Sequence, residues 1–290
     1  MKSKQIIFKE LRRFFINAFV NAEVSLTEIE NFLHNYLEYI FHLQRLNLDD
    51  FDIQIQKVHF EESHPKREKT YKRNPNQEER QLIKRRILSK PSFKPNCADF
   101  YFDACMSAHD TIQNKFNICI NKNSCHARND EEIMNLVFLF NSFGHEVHHI
   151  IQYVLRPKEM ETYDYLSSLH NLYIANAEEI VQEKREARKL KRTVNQHLQV
   201  MFSNCKPELF ADKKAFDYLD ILLNEILKSL PSAQTIEEDM FKTFINSLII
   251  KNENEYSARF YDYEITELKY GDAVDRLTNF PVEADLLKID

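Results

Sequence analysis

The stretch Ser142–Gln152, "SFGHEVHHIIQ", holds three of the chain's eleven histidines and one of its only two glycines. It closes a longer run, Glu131 to about Leu155, that is apolar nearly all round at "IMNLVFLF". A helix without a polar face belongs in a core, so this run predicts a central helix with two imidazoles one turn apart near its end. Two histidines with a glutamate between them are costly in such a place unless something binds them.

The surroundings of that helix also read as mainly helical. The chain has 290 residues, two glycines and eight prolines, so it is short of the residues that punctuate tight hairpins. In the N-terminal region, Ile7, Leu11, Phe14, Phe15 and Ala18 recur at helical spacing. This amphipathic pattern, with a short apolar run broken by Asn17, is expected to be a helix rather than a targeting segment. Ser25 and Glu28 form a capping-box signature for a second helix to about Leu46. "FDIQIQ" alternates at Phe51, Ile53 and Ile55, and "NKFNICIN" at Phe116, Ile118 and Ile120, so each predicts a strand. Asp130 is the expected cap of the central helix.

Downstream, the run from Lys158 to Asn204 has neither Gly nor Pro and predicts a long helix or helix pair. Another helix is expected from about Asp212 to Leu230. Thr235 and Glu238 form a second capping box, opening a helix to about Ile250, and a last helix covers "NEYSARFYDYEITELKY" and stops at Gly271. The expected class is mainly α with a small β-sheet. Residues 1–95 form an N-terminal helical and strand region. Residues 96–290 form a second domain that carries a helical insertion at about 158–230.

Charge and cysteine usage narrow the partners. The net charge of −6 gives no reason to expect nucleic-acid binding by the whole chain. Residues 64–94 carry eleven Lys or Arg against three Glu. This basic excursion reads first as a solvated surface segment and second as a site for an anionic partner such as nucleic acid. The five cysteines are an odd number without a Cys-x-x-Cys pair, so reduced thiols and a cytoplasmic protein are expected. No run approaches the length needed to cross a bilayer, and no membrane partner is expected.

His145, Glu146 and His149 spell His-Glu-x-x-His. Positions i and i+4 of a helix share a face, so both imidazoles can reach one ion. Glu146, beside the first ligand, can serve as general base toward a water in the ion's open position. Zinc suits that task, since it lowers the pKa of bound water to about 7 and polarises a carbonyl. His148 points off the ligand face and is expected at the surface or beside the site. Gly144 offers a place where another backbone can approach closely, either the element bringing a third ligand or simply a packed helix.

In "ENEYSARFYDYE" the chain resembles the gluzincin zinc metallopeptidases, the thermolysin-like branch, in which a glutamate on a later helix completes the site. Their third-ligand segment commonly reads Asn-Glu with a small residue three positions after the Glu. Asn254, Glu255 and Ala258 match this pattern. The family has Asp directly after the small residue, as partner of a ligand histidine. Here Arg259 stands in that place, so Asp262 must take the role or the role is absent. Glu178, Glu179 and Glu183 are rival ligands, although their charged run also reads as a solvated helix face. Tyr261, Tyr263 and His170 are candidates for a transition-state donor, against a plainer reading as packing or surface residues.

The resemblance implies a zincin-like fold with a helical insertion and an edge strand before the His-Glu helix, to which an extended peptide can pair. It implies a zinc-dependent metallopeptidase acting on a peptide or protein, with His145, His149 and Glu255 as ligands and Glu146 as base. The alternative is a catalytically inactive helical binding or regulatory protein that keeps the zincin-like fold.

Overall fold

The computed structural model describes residues 2–58, 104–110, 114–121, 125, 127–160, 163, 206–230 and 235–279, with backbone alone at 57–58, 104–110, 206 and 258–279. Helices α1 (Lys4–Asn21) and α2 (Leu26–Leu43) precede a single 3-10 turn and strand β1 (Asp52–Val58). Strands β2 (Ala104–Asp110) and β3 (Lys115–Asn121) lead into α3 (Asp130–Leu155). Two further helices follow, α4 (Lys206–Ser229) and α5 (Ile236–Asn279). The mainly helical chain with one small sheet is the expected class. The described residues form two compact units: Met1–Pro157 with Ala211–Glu253, and Lys158–Phe210 with Asn254–Asp290.

The first unit holds the core. The helical stripe of α1 buries Ile7, Leu11, Phe14, Phe15 and Ala18, the five residues whose spacing marked it. Phe14, Phe15, Phe32 and Phe140 form an aromatic cluster joining α1, α2 and α3, with Phe32 and Phe140 centroids 4.2 Å apart. In α3 the buried set runs from Ile133 to Gln152, as an all-round apolar helix requires. A polar tie crosses the same interior. Asn141 Nδ2 donates to Asn252 Oδ1 at 2.8 Å, and Asn252 Nδ2 donates to the Phe216 carbonyl at 3.2 Å, so α3, α4 and α5 are pinned together.

The caps follow local chemistry. Ser25 and Glu28 close the expected box: Glu28 N donates to Ser25 Oγ and Ser25 N to Glu28 Oε2. Thr235 and Glu238 do the same at the start of α5. The cap of α3 is Asn129, not Asp130. Asn129 Oδ1 accepts from Glu132 N at 2.9 Å, and Asp130 becomes the first helical residue, where its charge favours the helix N-terminus.

Three expectations are corrected by the backbone. Strand β3 is not an edge strand. The sheet order is β1-β3-β2, with β1 parallel and β2 antiparallel to β3, so both sides of β3 are paired. Its burial accordingly runs unbroken from Phe116 to Asn121 instead of alternating. The two helices expected around residues 236–250 and 254–271 are one helix. No Gly or Pro interrupts "IIKNENEY", and Gly271 lies inside α5, where one glycine costs about 1 kcal/mol without ending it. Helix α4 begins at Lys206, six residues before the expected start. Pro207 sits in its first turn, where a missing N–H costs nothing.

Residues 59–103, including the basic excursion 64–94 and the boundary at 95, lie outside the described residues. So does most of the expected 158–204 helix, with His170, Glu178, Glu179 and Glu183. Among the described residues no helix is long and apolar enough to cross a membrane.

Candidate metal centre

Helix α3 carries His145 and His149 one turn apart, and each ring is held by its Nδ1. His145 Nδ1 lies 2.8 Å from Asp212 Oδ1 of α4. His149 Nδ1 lies 2.8 Å from Gln152 Oε1, three residues on in the same helix. A carboxylate oxygen and an amide carbonyl only accept, so each Nδ1 carries the proton. The two Nε2 atoms then turn toward each other at 2.9 Å, with the rings nearly perpendicular. Two ring nitrogens facing at that distance hold one electrophile between them, a proton or a metal cation. His149 is 1% exposed, whereas His145 and Glu146 are half-buried.

The close approach of α4 explains Gly144. A Cβ on Gly144 would meet Ala215 Cα at 3.4 Å and the Tyr36 hydroxyl oxygen at 3.7 Å. Ala215 lies in α4, one turn after Asp212. The glycine therefore marks a point where the helix carrying Asp212 comes close to the His-Glu helix.

A second contact fixes the same seam. His148 is buried, contrary to a surface placement, and its Nδ1 accepts from the Tyr218 hydroxyl at 2.7 Å. Burial above all, with positive charge at Lys214 and Arg156 adding to it, brings His148 down to about 3, so its ring is neutral at ordinary pH. Burial pushes the Tyr218 hydroxyl up, with Asp217 adding to the effect, and keeps it a donor.

A carboxylate stands near the facing nitrogens. Among the described residues, His145, His149 and Glu208 form a group whose ligand atoms all lie within 4.8 Å of one another. Glu208 lies in the first turn of α4, four residues before Asp212, so the two share a helix face. Glu255 is half-buried on α5 and is not one of the three grouped residues. Tyr261, Asp262 and Tyr263 lie further along α5, and their side chains are outside the described part.

No family model, no curated protein and no solved structure matches this chain. The geometry has to carry the reading.

Glu208 and Asp212 escaped the sequence reading, although a signal for them existed. "PELFAD" has a small residue, Ala211, three positions after Glu208 and an Asp directly after that. Those are two of the features the gluzincin resemblance asks for, with Pro207 in place of Asn. "NEYSAR" supplies the Asn and the small residue but lacks the Asp. Starting α4 at Asp212 left Glu208 outside any helix and hid the one-turn spacing.

The donor set fits zinc. Two imidazoles whose Nδ1 atoms are engaged and one carboxylate are donor types that zinc accepts. Each ring also has a partner for its other nitrogen, which such ligands almost always possess.

Proposed function

We propose that the chain is a zinc-dependent metallopeptidase with a zincin-like fold, in which His145, His149 and Glu208 hold the metal. The observation that carries this reading is the pair of Nε2 atoms facing at 2.9 Å while both Nδ1 atoms are engaged. His145, His149 and Glu208 would hold the zinc, and its chemistry there would be to lower the pKa of a bound water and to polarise a carbonyl.

The chain's own residues divide the remaining work. Asp212 and Gln152 hold the two rings so that their lone pairs converge. Glu208 adds the anionic donor that lowers the net charge of a dication between neutral rings. Glu146, next to His145 and half-buried, accepts the proton of the attacking water on its carboxylate and returns it to the leaving amine. The substrate is a peptide or protein, and the expected compartment is the cytoplasm. The peptide substrate is supported by the resemblance in the His-Glu segment and by the Glu208, Ala211 and Asp212 spacing in "PELFAD".

Zinc content and peptide cleavage test the reading together. Purified protein should hold about one zinc per chain. His145→Ala should lose it. Glu146→Gln should retain zinc while hydrolysis of a mixed peptide library stops. A wild-type chain that takes up no zinc overturns the proposal. Zinc without cleavage that depends on Glu146 would leave the metal and remove the peptidase, favouring a binding or regulatory protein.

A further inference from the structure

Gln152 stands out among the groups around the two rings. Its side chain is 2% exposed, it lies on the face of α3 that carries His149, and its Oε1 meets His149 Nδ1 at 2.8 Å. A buried amide costs free energy unless it is paired, and here the pairing reaches back to a ring three residues earlier. The two rings are treated differently. His145, which is half-buried, is paired with a carboxylate, whereas the deeper His149 is paired with a neutral amide. A carboxylate at a position as buried as Gln152 would carry a large desolvation cost. An amide oxygen supplies the same acceptor without charge.

We propose that Gln152 is a positioning residue that fixes the Nδ1–H tautomer of His149 and thereby aims its Nε2 lone pair at the point shared with His145. The proposal rests on the metal reading above. The resemblance assigns no role to this position. The chemistry is simple: Oε1 accepts only from a protonated nitrogen, so the proton is held on Nδ1 and Nε2 is left to donate its lone pair. Without that acceptor the imidazole is free to carry its proton on Nε2, where it blocks coordination, and the ring is free to rotate.

The test compares Gln152→Met, which keeps an unbranched side chain and removes the acceptor, with Gln152→Glu, which keeps an acceptor. Zinc affinity is read by competition with a chromophoric chelator. The His149 tautomer is read in metal-free protein from ring 15N shifts. Gln152→Met should bind zinc about 10–100-fold more weakly and lose the uniform protonation of His149 Nδ1. Gln152→Glu should recover most of the affinity. Wild-type zinc affinity in Gln152→Met overturns the proposal alone, whereas a wild-type chain that binds no zinc overturns the metal reading first. Should Gln152→Met fail to fold by circular dichroism, the wild-type spectrum decides, because a His149 Nδ1 without its proton there overturns the proposal.

Discussion

Gly144 and Ala215 touch where α3 and α4 cross: a methyl group on Gly144 would reach Ala215 Cα at 3.4 Å, ordinary contact distance. There is room for one carbon and no more. Gly144→Ala is therefore expected to be neutral or to stabilise the fold by up to about 1 kcal/mol, through helix propensity. Gly144→Val should push α4 outward, weaken the His145–Asp212 contact and lower both melting temperature and zinc content. Thermal denaturation and metal analysis of the two variants check this, and a destabilised alanine variant would contradict the reading of the contact.

The third ligand can be decided by comparing two glutamates. Glu208→Ala should cost most of the zinc, because one of three protein donors is gone, while Glu255→Ala should leave zinc content unchanged. Asp212→Asn should keep the metal but weaken it by about 10–100-fold, as loss of a ring's outer partner does. Chelator competition on the three proteins separates these outcomes. Zinc lost in Glu255→Ala and kept in Glu208→Ala would move the site to α5.

Tyr218→Phe removes the hydroxyl from which buried His148 accepts. The ring nitrogen cannot replace that donor easily at 5% exposure, so a loss of about 1–3 kcal/mol is expected. Zinc content should hold, since the Tyr218 hydroxyl meets His148, which is not one of the proposed ligand rings. Denaturant unfolding with metal analysis alongside distinguishes a structural tie from a ligand.

Asp220 has its pKa raised by burial first, then by Glu253 and Asp217, with Asn224 and Lys228 pulling the other way. A carboxyl raised on folding stabilises the native state below its unfolded pKa and loses that contribution as pH rises through the folded value. Asp220→Asn should accordingly melt higher than wild type at pH 7, and the difference should shrink as pH falls below the ordinary carboxylate range. A melting series from pH 3 to 7 checks the sign. A gap that widened toward acid would refute it.

Much of the chain was legible from periodicity and caps because those signals are local. The five apolar residues of α1, the boxes at Ser25–Glu28 and Thr235–Glu238, and the all-round apolar α3 each depend on neighbours within a turn or two. His145, Glu146 and His149 were legible for the same reason, since their spacing on one helix is a property of the helix. Where local signals competed, the reading slipped. Asn129 and Asp130 are both good caps, and only the reach of Asn129 to Glu132 chose between them. Gly271 is a good stop that α5 runs past.

The sequence by itself determined the helical frame and two nitrogen donors on one face, because side-chain direction in a helix follows from residue number. Only the tertiary structure decided what completes them. Which carboxylate stands near the rings depends on where α4 crosses α3, and that depends on Gly144 meeting Ala215, on Tyr218 meeting His148, and on how early α4 begins. Contacts between residues about seventy positions apart are set by packing, and packing is a property of the whole core rather than of any short segment.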